Sequence, residues 1–212
     1  SEEGSKLTIT GGTFTLNYAP SSGYTAVILV YGDTTISGGE FIQNATPKWG
    51  YPQVVMTGVE EGYTAITRVT GGHFVNKKSG DNIFHGYTPA TADNFEVSGG
   101  TFNKYVSDSY MAEGFIPVKN ANGTYGVKAG KFVAEVGSTG YETLDEAIAA
   151  ANASTKTATI YLRENITVDH QLVINNAKGK TITLNLEGFT LTSTYAIDKA
   201  IKNGSYALVN IT

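Results

Sequence analysis

The chain has 212 residues, a formal charge of −4 from 15 basic and 19 acidic side chains, and no cysteine. The weak negative charge argues against a nucleic-acid partner, because phosphate recognition needs clustered Lys and Arg. Without Cys there is no disulfide, no thiol nucleophile and no Cys zinc site. No apolar stretch approaches the roughly 20 residues of a membrane-spanning helix, and residues 1–6 lack the pattern of a signal peptide.

A short motif recurs four times in the first part of the chain. It reads β-branched residue, hydroxyl residue, Gly, Gly, variable residue, Phe, and its intervals are 27, 33 and 28 residues. The copies end at Phe14, Phe41, Phe74 and Phe102. A glycine pair permits a sharp corner, whereas the aliphatic residue and the Phe suit the interior of stacked strands. The period is too short for a propeller blade and lacks helical spacing.

This repeat predicts a parallel β-solenoid in which one motif marks one coil. Each coil would supply about three short strands, and equivalent residues would stack about 4.8 Å apart. The four Phe would then form an internal ladder. The alternative is an antiparallel sandwich in which the same Phe are scattered core residues.

Two further features complete the first segment. Residues 23–31 are expected to form a buried strand, since they are apolar and end at a turn pair. The dipeptide Asn122-Gly123 lies between two extended runs and predicts a tight hairpin. Such a hairpin would close the coil stack against pairing with another chain. Residues 1–128 are therefore expected to be one domain of coils with a closing hairpin.

An aromatic platform is predicted from the less regular segments. The longest repeat interval contains residues 46–52, which we interpret as an inserted loop, and inserted loops in solenoids often bind ligands. Within it, Trp49 and Tyr51 flank Gly50, and two further tyrosines also follow glycines. As alternatives, Trp49 packs its own loop onto the solenoid and the tyrosines are ordinary strand residues. The predicted sugar-stacking residues are Trp49, Tyr51, Tyr63 and Tyr87.

The remaining residues, 129–212, are expected to be a second domain that starts with a capping helix. Residues 131–136 are predicted as a strand and 137–140 as a loop. Thr143 and Glu146 have capping-box spacing, and an apolar stripe at helical period follows. This stripe comprises Leu144, Ala147, Ile148 and Ala151. It predicts a helix at about 144–152 that covers the open end of a coil stack, and strands at 158–162, 171–174, 180–186 and 189–192.

Several of these segments resemble known β-helical proteins. Residues 143–151, 159–162 and 180–191 resemble the amino-terminal cap and first coils of pectate-lyase-like β-helices. The Gly-Gly-x-Phe coils resemble those of repetitive, adhesin-like surface proteins of gut bacteria, and so does a closing segment between residues 110 and 127. The matching residues there are Tyr110, Ala112, Gly114, Phe115, Asn120, Asn122, Gly123, Thr124, Tyr125 and Val127.

The resemblance implies an all-β fold, a right-handed parallel β-helix (β-solenoid) with one short capping α-helix near residues 144–152. It also implies a location outside a bacterial cell or on its surface, with the signal and the anchor outside this chain. A closing segment followed by an opening cap is expected where one solenoid ends and another begins. The chain is therefore expected to be a piece of a longer protein.

The acidic residues do not predict a catalytic site. β-Helix lyases and hydrolases need several carboxylates that converge from neighbouring coils, but Asp33, Asp81 and Asp93 lie at different offsets from their glycine pairs. The histidines have neither a nucleophile motif nor zinc spacing; they are His73, His85 and His170. We therefore expect no catalytic residue, no metal and no cofactor, although enzymatic activity stays open.

The leading hypothesis is a non-catalytic surface β-helix for adhesion or glycan contact. Its expected partners are host or bacterial glycans or surface proteins. Two alternatives remain at this point. One is a polysaccharide-cleaving β-helix enzyme, either a lyase or a glycoside hydrolase, and the other is a purely structural stalk segment.

Overall fold

The computed structural model describes residues 5–58, 65–88, 90–174 and 180–194, together with the backbone of a last strand at 209–211. The chain divides into two compact units, Ser1–Gly130 and Lys131–Thr212. Short strands stack in parallel sheets and are accompanied by one short α-helix, which confirms the predicted β-solenoid. Among the described residues, no helix is long and apolar enough to cross a membrane.

The first unit is built from coils of three strands. Its strands are β1 Lys6–Ile9, β2 Thr13–Leu16, β3 Tyr24–Val30, β4 Asp33–Ile36, β5 Glu40–Gln43, β6 Tyr51–Gly58, β7 Thr67–Val69, β8 His73–Asn76, β9 Phe84–Tyr87, β10 Phe95–Val97, β11 Thr101–Phe102, β12 Phe115–Lys119 and β13 Tyr125–Ala129. Short 3₁₀ turns occupy Ala92–Asn94 and Asp108–Tyr110. The sheets run β1-β4-β7-β10, β12-β13-β11-β8-β5-β2 and β3-β6-β9, and the pairings between coils are parallel.

The repeated glycine pair is required by the close approach of one coil to the next. A Cβ added at Gly71 would lie 2.4 Å from the backbone oxygen of Ser37 in the preceding coil, so any side chain there would displace the backbone. The second glycine, Gly72, has a φ of +105°, which L residues rarely adopt. The close approach therefore explains the first glycine of the pair, and the positive φ explains the second.

The predicted Phe ladder is confirmed, and the antiparallel sandwich is wrong. Phe41 stacks on Phe14 and Phe74 with ring centroids 5.0 and 4.9 Å apart and interplanar angles of 4° and 6°. Phe102 continues the stack, 5.4 Å from Phe74. Phe41, Phe74 and Phe102 are fully buried, whereas Phe14 at the end of the ladder is partly exposed.

The predicted closing hairpin is also confirmed. Strands β12 and β13 pair antiparallel across a turn in which Gly123 has a φ of +85°. Strand β13 then pairs antiparallel with β11 through Tyr125 and Phe102. The edge of the last parallel coil is thus covered by a hairpin, as expected for a device that blocks further strand addition.

The second unit begins with a hairpin and the predicted helix. Its elements are β14 Ala134–Val136, β15 Thr139–Tyr141, α1 Leu144–Ala153, β16 Ala158–Leu162, β17 Ile166–Val168, β18 Leu172–Ile174, β19 Ile182–Asn185, β20 Leu191–Ser193 and β21 Val209–Ile211. The Thr143 hydroxyl accepts a hydrogen bond from the Glu146 amide at 3.2 Å, and the Glu146 carboxylate accepts one from the Thr143 amide at 3.2 Å. The apolar stripe of α1 is buried in the core of this unit.

Two predicted boundaries in this unit differ from the structure. The loop predicted at 137–140 is a two-residue turn at 137–138, because β15 begins at Thr139 and pairs antiparallel with β14. Gly137 supplies the φ of +65° that this two-residue turn requires. The strand predicted at 189–192 is confirmed as β20, although it begins at Leu191.

Candidate functional site: the Tyr24 cluster

A second repeat, longer than the glycine motif, builds the candidate site. Residues 17–24 and 44–51 both read Asn-x-x-Pro-x-x-Gly-Tyr and lie 27 positions apart. The two loops stack on each other, since the side-chain nitrogen Nδ2 of Asn44 donates a hydrogen bond to Asn17 Oδ1 at 2.8 Å. The last residue of each loop starts a strand, and Tyr24 of β3 pairs in register with Tyr51 of β6.

Gly50 allows the loop at 44–51, the upper loop, to lie close to the loop at 17–24, the lower loop. A Cβ added there would lie 2.5 Å from the backbone oxygen of Pro20 and 3.0 Å from the Pro47 ring. The neighbouring Trp49 is 67% exposed, and the Lys48 ammonium lies 5.0 Å from its ring centroid. The tryptophan therefore sits on the surface of a well-anchored loop and does not pack that loop onto the solenoid.

The interpretation of this loop as an insertion was wrong. Strand register aligns Leu16 with Gln43 and Ile28 with Val55, so both coils use the same number of residues on this side. Thr57 aligns with Val30 and Thr67 with Thr34, which places the extra residues of the long interval between Thr57 and Thr67. The sequence shows only that the interval is longer; the location of the added residues depends on strand pairing.

Tyr24 and the three aromatic side chains that surround it form a group that we call the Tyr24 cluster. The Tyr24 ring lies 5.4 Å from Tyr51, 4.6 Å from His85 in a stacked arrangement, and 6.2 Å from Tyr87 in an edge-on arrangement. Tyr24, Tyr51 and Tyr87 are 48%, 51% and 42% exposed. Aromatic surface is thus gathered on one face and left open to solvent.

Strand β6 has an irregular pairing next to the cluster. The amides of Val54 and Val55 both donate to the backbone oxygen of Ile83, and the β3–β6 ladder skips one pair at the same level. Irregularities of this kind locally bend strands. Buried Asn76 holds the start of β6, because its side-chain nitrogen donates to the backbone oxygen of Pro52 at 2.9 Å.

The electrostatics of the cluster are those of aromatic rings beside one lysine–aspartate ion pair. Burial lowers the pKa of His85 below its usual value of 6.5, which favours the neutral form of the ring stacked on Tyr24. The Lys78 ammonium lies 5.4 Å from the Tyr51 ring centroid and is held by the Gly50 backbone oxygen and by Asp81. The cluster therefore offers neutral ring faces with one fixed cation beside Tyr51, and its chemistry is that of non-covalent stacking.

The structure places the four predicted sugar-stacking residues differently. Tyr51 and Tyr87 are brought together through Tyr24, whereas no ring contact among the described residues joins Trp49 to them. Tyr63 lies outside the described residues. Sequence reasoning missed Tyr24 and the role of His85, although the second Gly-Tyr pair, one coil period away, was a usable signal.

Across the described part of the chain, no three His, Cys, Asp or Glu side chains converge in a way that could hold a metal ion. No protein-family model, no curated protein and no solved structure matches this chain.

Proposed function

We propose that this protein is a non-catalytic, extracellular bacterial surface β-helix that contacts glycans through the Tyr24 cluster and the adjoining Trp49. The observation that supports it is the gathering of four rings from three strands on one face, with three of them about half exposed. A soluble surface rarely leaves such a patch without a partner. The extracellular bacterial location rests on the resemblance of the coils.

A sugar ring suits this surface for a physical reason. The apolar C–H face of a pyranose packs flat on an aromatic ring, while its hydroxyls remain hydrogen-bonded to water or to polar tips such as the tyrosine hydroxyl. Neutral rings impose no charge requirement, and a shallow, open site implies weak individual affinity. Stacked coils offer such a site on a rigid frame, because their backbone is fixed by sheet pairing.

The test is a glycan array with the wild-type protein, followed by calorimetry on the hits. We expect Tyr24→Ala to weaken binding at least about tenfold, since it removes the ring that contacts the other three. Tyr18→Ala is the matched control, because Tyr18 is 79% exposed in the lower loop and belongs to no ring pair among the described residues. Urea unfolding of both variants verifies that they are folded.

Other outcomes would contradict the proposal. Absence of binding to any glycan would favour a structural stalk, and release of new reducing ends from a polysaccharide would favour an enzyme. Equal affinities for wild type and Tyr24→Ala would place the binding elsewhere. If Trp49→Ala binds as tightly as wild type, Trp49 is not part of the site.

A further inference from the structure

We propose that the second unit carries a separate saccharide-binding groove on the outer face of its β14–β16–β19 sheet. A cavity of about 510 Å³ lies there, within the roughly 300–1,000 Å³ typical of small-molecule sites. The side chains that define it, which we call the second-unit groove, are Glu135, Tyr161, Arg163, Glu187 and Phe189. They are unrelated to the Tyr24 cluster, and the sequence analysis predicted none of them as site residues.

Strand pairing brings these residues together. Glu135 of β14 pairs with Tyr161 of β16, which in turn pairs with Asn185 of β19, so the three lie in one row across the sheet. Arg163 directly follows β16, Glu187 lies in the turn after β19, and both line the same cavity. Phe189 follows the turn that ends β19 and lines the same cavity.

The polar groups of the groove are oriented before any ligand arrives. The Arg163 guanidinium forms an ion pair with Glu135, and its backbone amide donates to the Val133 oxygen at 2.9 Å. The side-chain nitrogen of Asn185 donates to the Glu187 carboxylate, and the Glu187 amide donates back to Asn185 Oδ1 at 3.1 Å. A guanidinium has five N–H donors and a carboxylate several lone pairs, so both pairs retain capacity for a ligand.

The aromatic residues supply the apolar part of the groove. Tyr161 and Phe189 are 36% and 37% exposed, so each ring is partly buried and partly open to the cavity. Two ring faces beside a guanidinium and carboxylates match a saccharide, which presents C–H faces and hydroxyls together. The groove has one cation, Arg163, and two carboxylates, Glu135 and Glu187. This excess of negative charge selects a neutral sugar over a uronate or a phosphate.

The test uses the full chain and four probes. Saturation-transfer NMR and calorimetry are run with maltotriose, cellotriose and mannotriose as neutral sugars and with trigalacturonate as the anionic one. We expect at least one neutral trisaccharide to bind with a Kd of about 1 mM, more tightly than trigalacturonate. Tyr161→Ala and Phe189→Ala should each weaken that binding about tenfold. Glu187→Gln should narrow the preference for the neutral sugar, because it removes one negative charge.

Tyr18→Ala in the first unit, an exposed residue outside both proposed sites, is the control, and it should leave binding to this groove unchanged. Loss of binding in Tyr24→Ala but not in Tyr161→Ala would assign the sugar to the Tyr24 cluster and overturn the second groove. Binding by none of the probes, or tighter binding of trigalacturonate, would also overturn it. If Tyr161→Ala fails to fold by urea unfolding, Phe189→Ala and Glu187→Gln decide the question.

Discussion

Removal of the Phe41 side chain is the sharpest perturbation of the internal ladder. Phe41 is 0% exposed and stacks on a ring on each side, at 5.0 and 4.9 Å. A buried Phe→Ala change costs about 3–5 kcal/mol, and each stacked pair contributes about 0.5–1.5 kcal/mol beyond its buried area. With two such pairs lost, we expect Phe41→Ala to lower the free energy of unfolding by about 4–5 kcal/mol, in the upper part of the range.

The matched control is Phe14→Ala at the end of the same ladder. Phe14 is partly exposed and has a single stacked neighbour, Phe41, so its removal should cost about 1–3 kcal/mol. Phe41→Leu should cost less than Phe41→Ala, because it leaves a smaller cavity.

Urea unfolding followed by circular dichroism measures all three variants, and an unchanged m-value shows that the cooperative unit is the same. A stability of about 5–15 kcal/mol is typical of a domain, so the expected loss is easily resolved. The reasoning is refuted if Phe41→Ala costs less than about 1 kcal/mol, or if Phe14→Ala costs as much as Phe41→Ala.

Three other predictions follow from the described contacts. Gly71→Ala should lower the free energy of unfolding by more than about 2 kcal/mol, because the added Cβ would lie 2.4 Å from the preceding coil. At Gly11 an added Cβ would meet nothing within 4 Å, so Gly11→Ala should lower it by less than about 0.5 kcal/mol. Urea unfolding measures both variants. In an NMR titration, the pKa of His170 should lie above 6.5, because the hydrogen bonds that its ring donates to Asp169 and Asp145 stabilise the charged form. The pKa of His85 should lie below 6.5 because of burial. Because the pKa of His170 is raised in the folded state, the charged ring stabilises the fold fully below about pH 6.5, and this contribution is lost as the pH rises through the pKa of the folded state. His170→Asn should abolish this pH dependence of the free energy of unfolding. Thr143→Ala should destabilise the second unit by about 1 kcal/mol through loss of the helix cap, and Thr143→Ser should not.

The coil architecture could be predicted because its signal is local and repeated. In the second, third and fourth copies of the motif, close approach and a positive φ require the two glycines, and the β-branched residue and the Phe are fully buried. The helix could be predicted for a similar reason, since the cap at Thr143 and its apolar stripe lie within a few residues of each other.

The candidate sites depend on pairing between distant strands, and the sequence reading missed most of their geometry. Tyr24 stacks on His85 although β3 and β9 are separated by β6, and the sequence carries no signal for this contact between strands of different coils. In the second unit, Glu135 meets Arg163 because β14 pairs antiparallel with β16, a pairing that the predicted strands at 131–136 and 158–162 do not specify.

The central claim, that the Tyr24 cluster is a glycan-contact surface, is tested most directly by NMR mapping on the unmodified protein. The glycan bound most tightly on the array is titrated into isotope-labelled protein while ring resonances are followed. We predict shifts in Tyr24, Tyr51, His85 and Tyr87, with unchanged resonances for the exposed Tyr18. Shifts that leave these four rings unaffected, at saturating glycan, would contradict the claim.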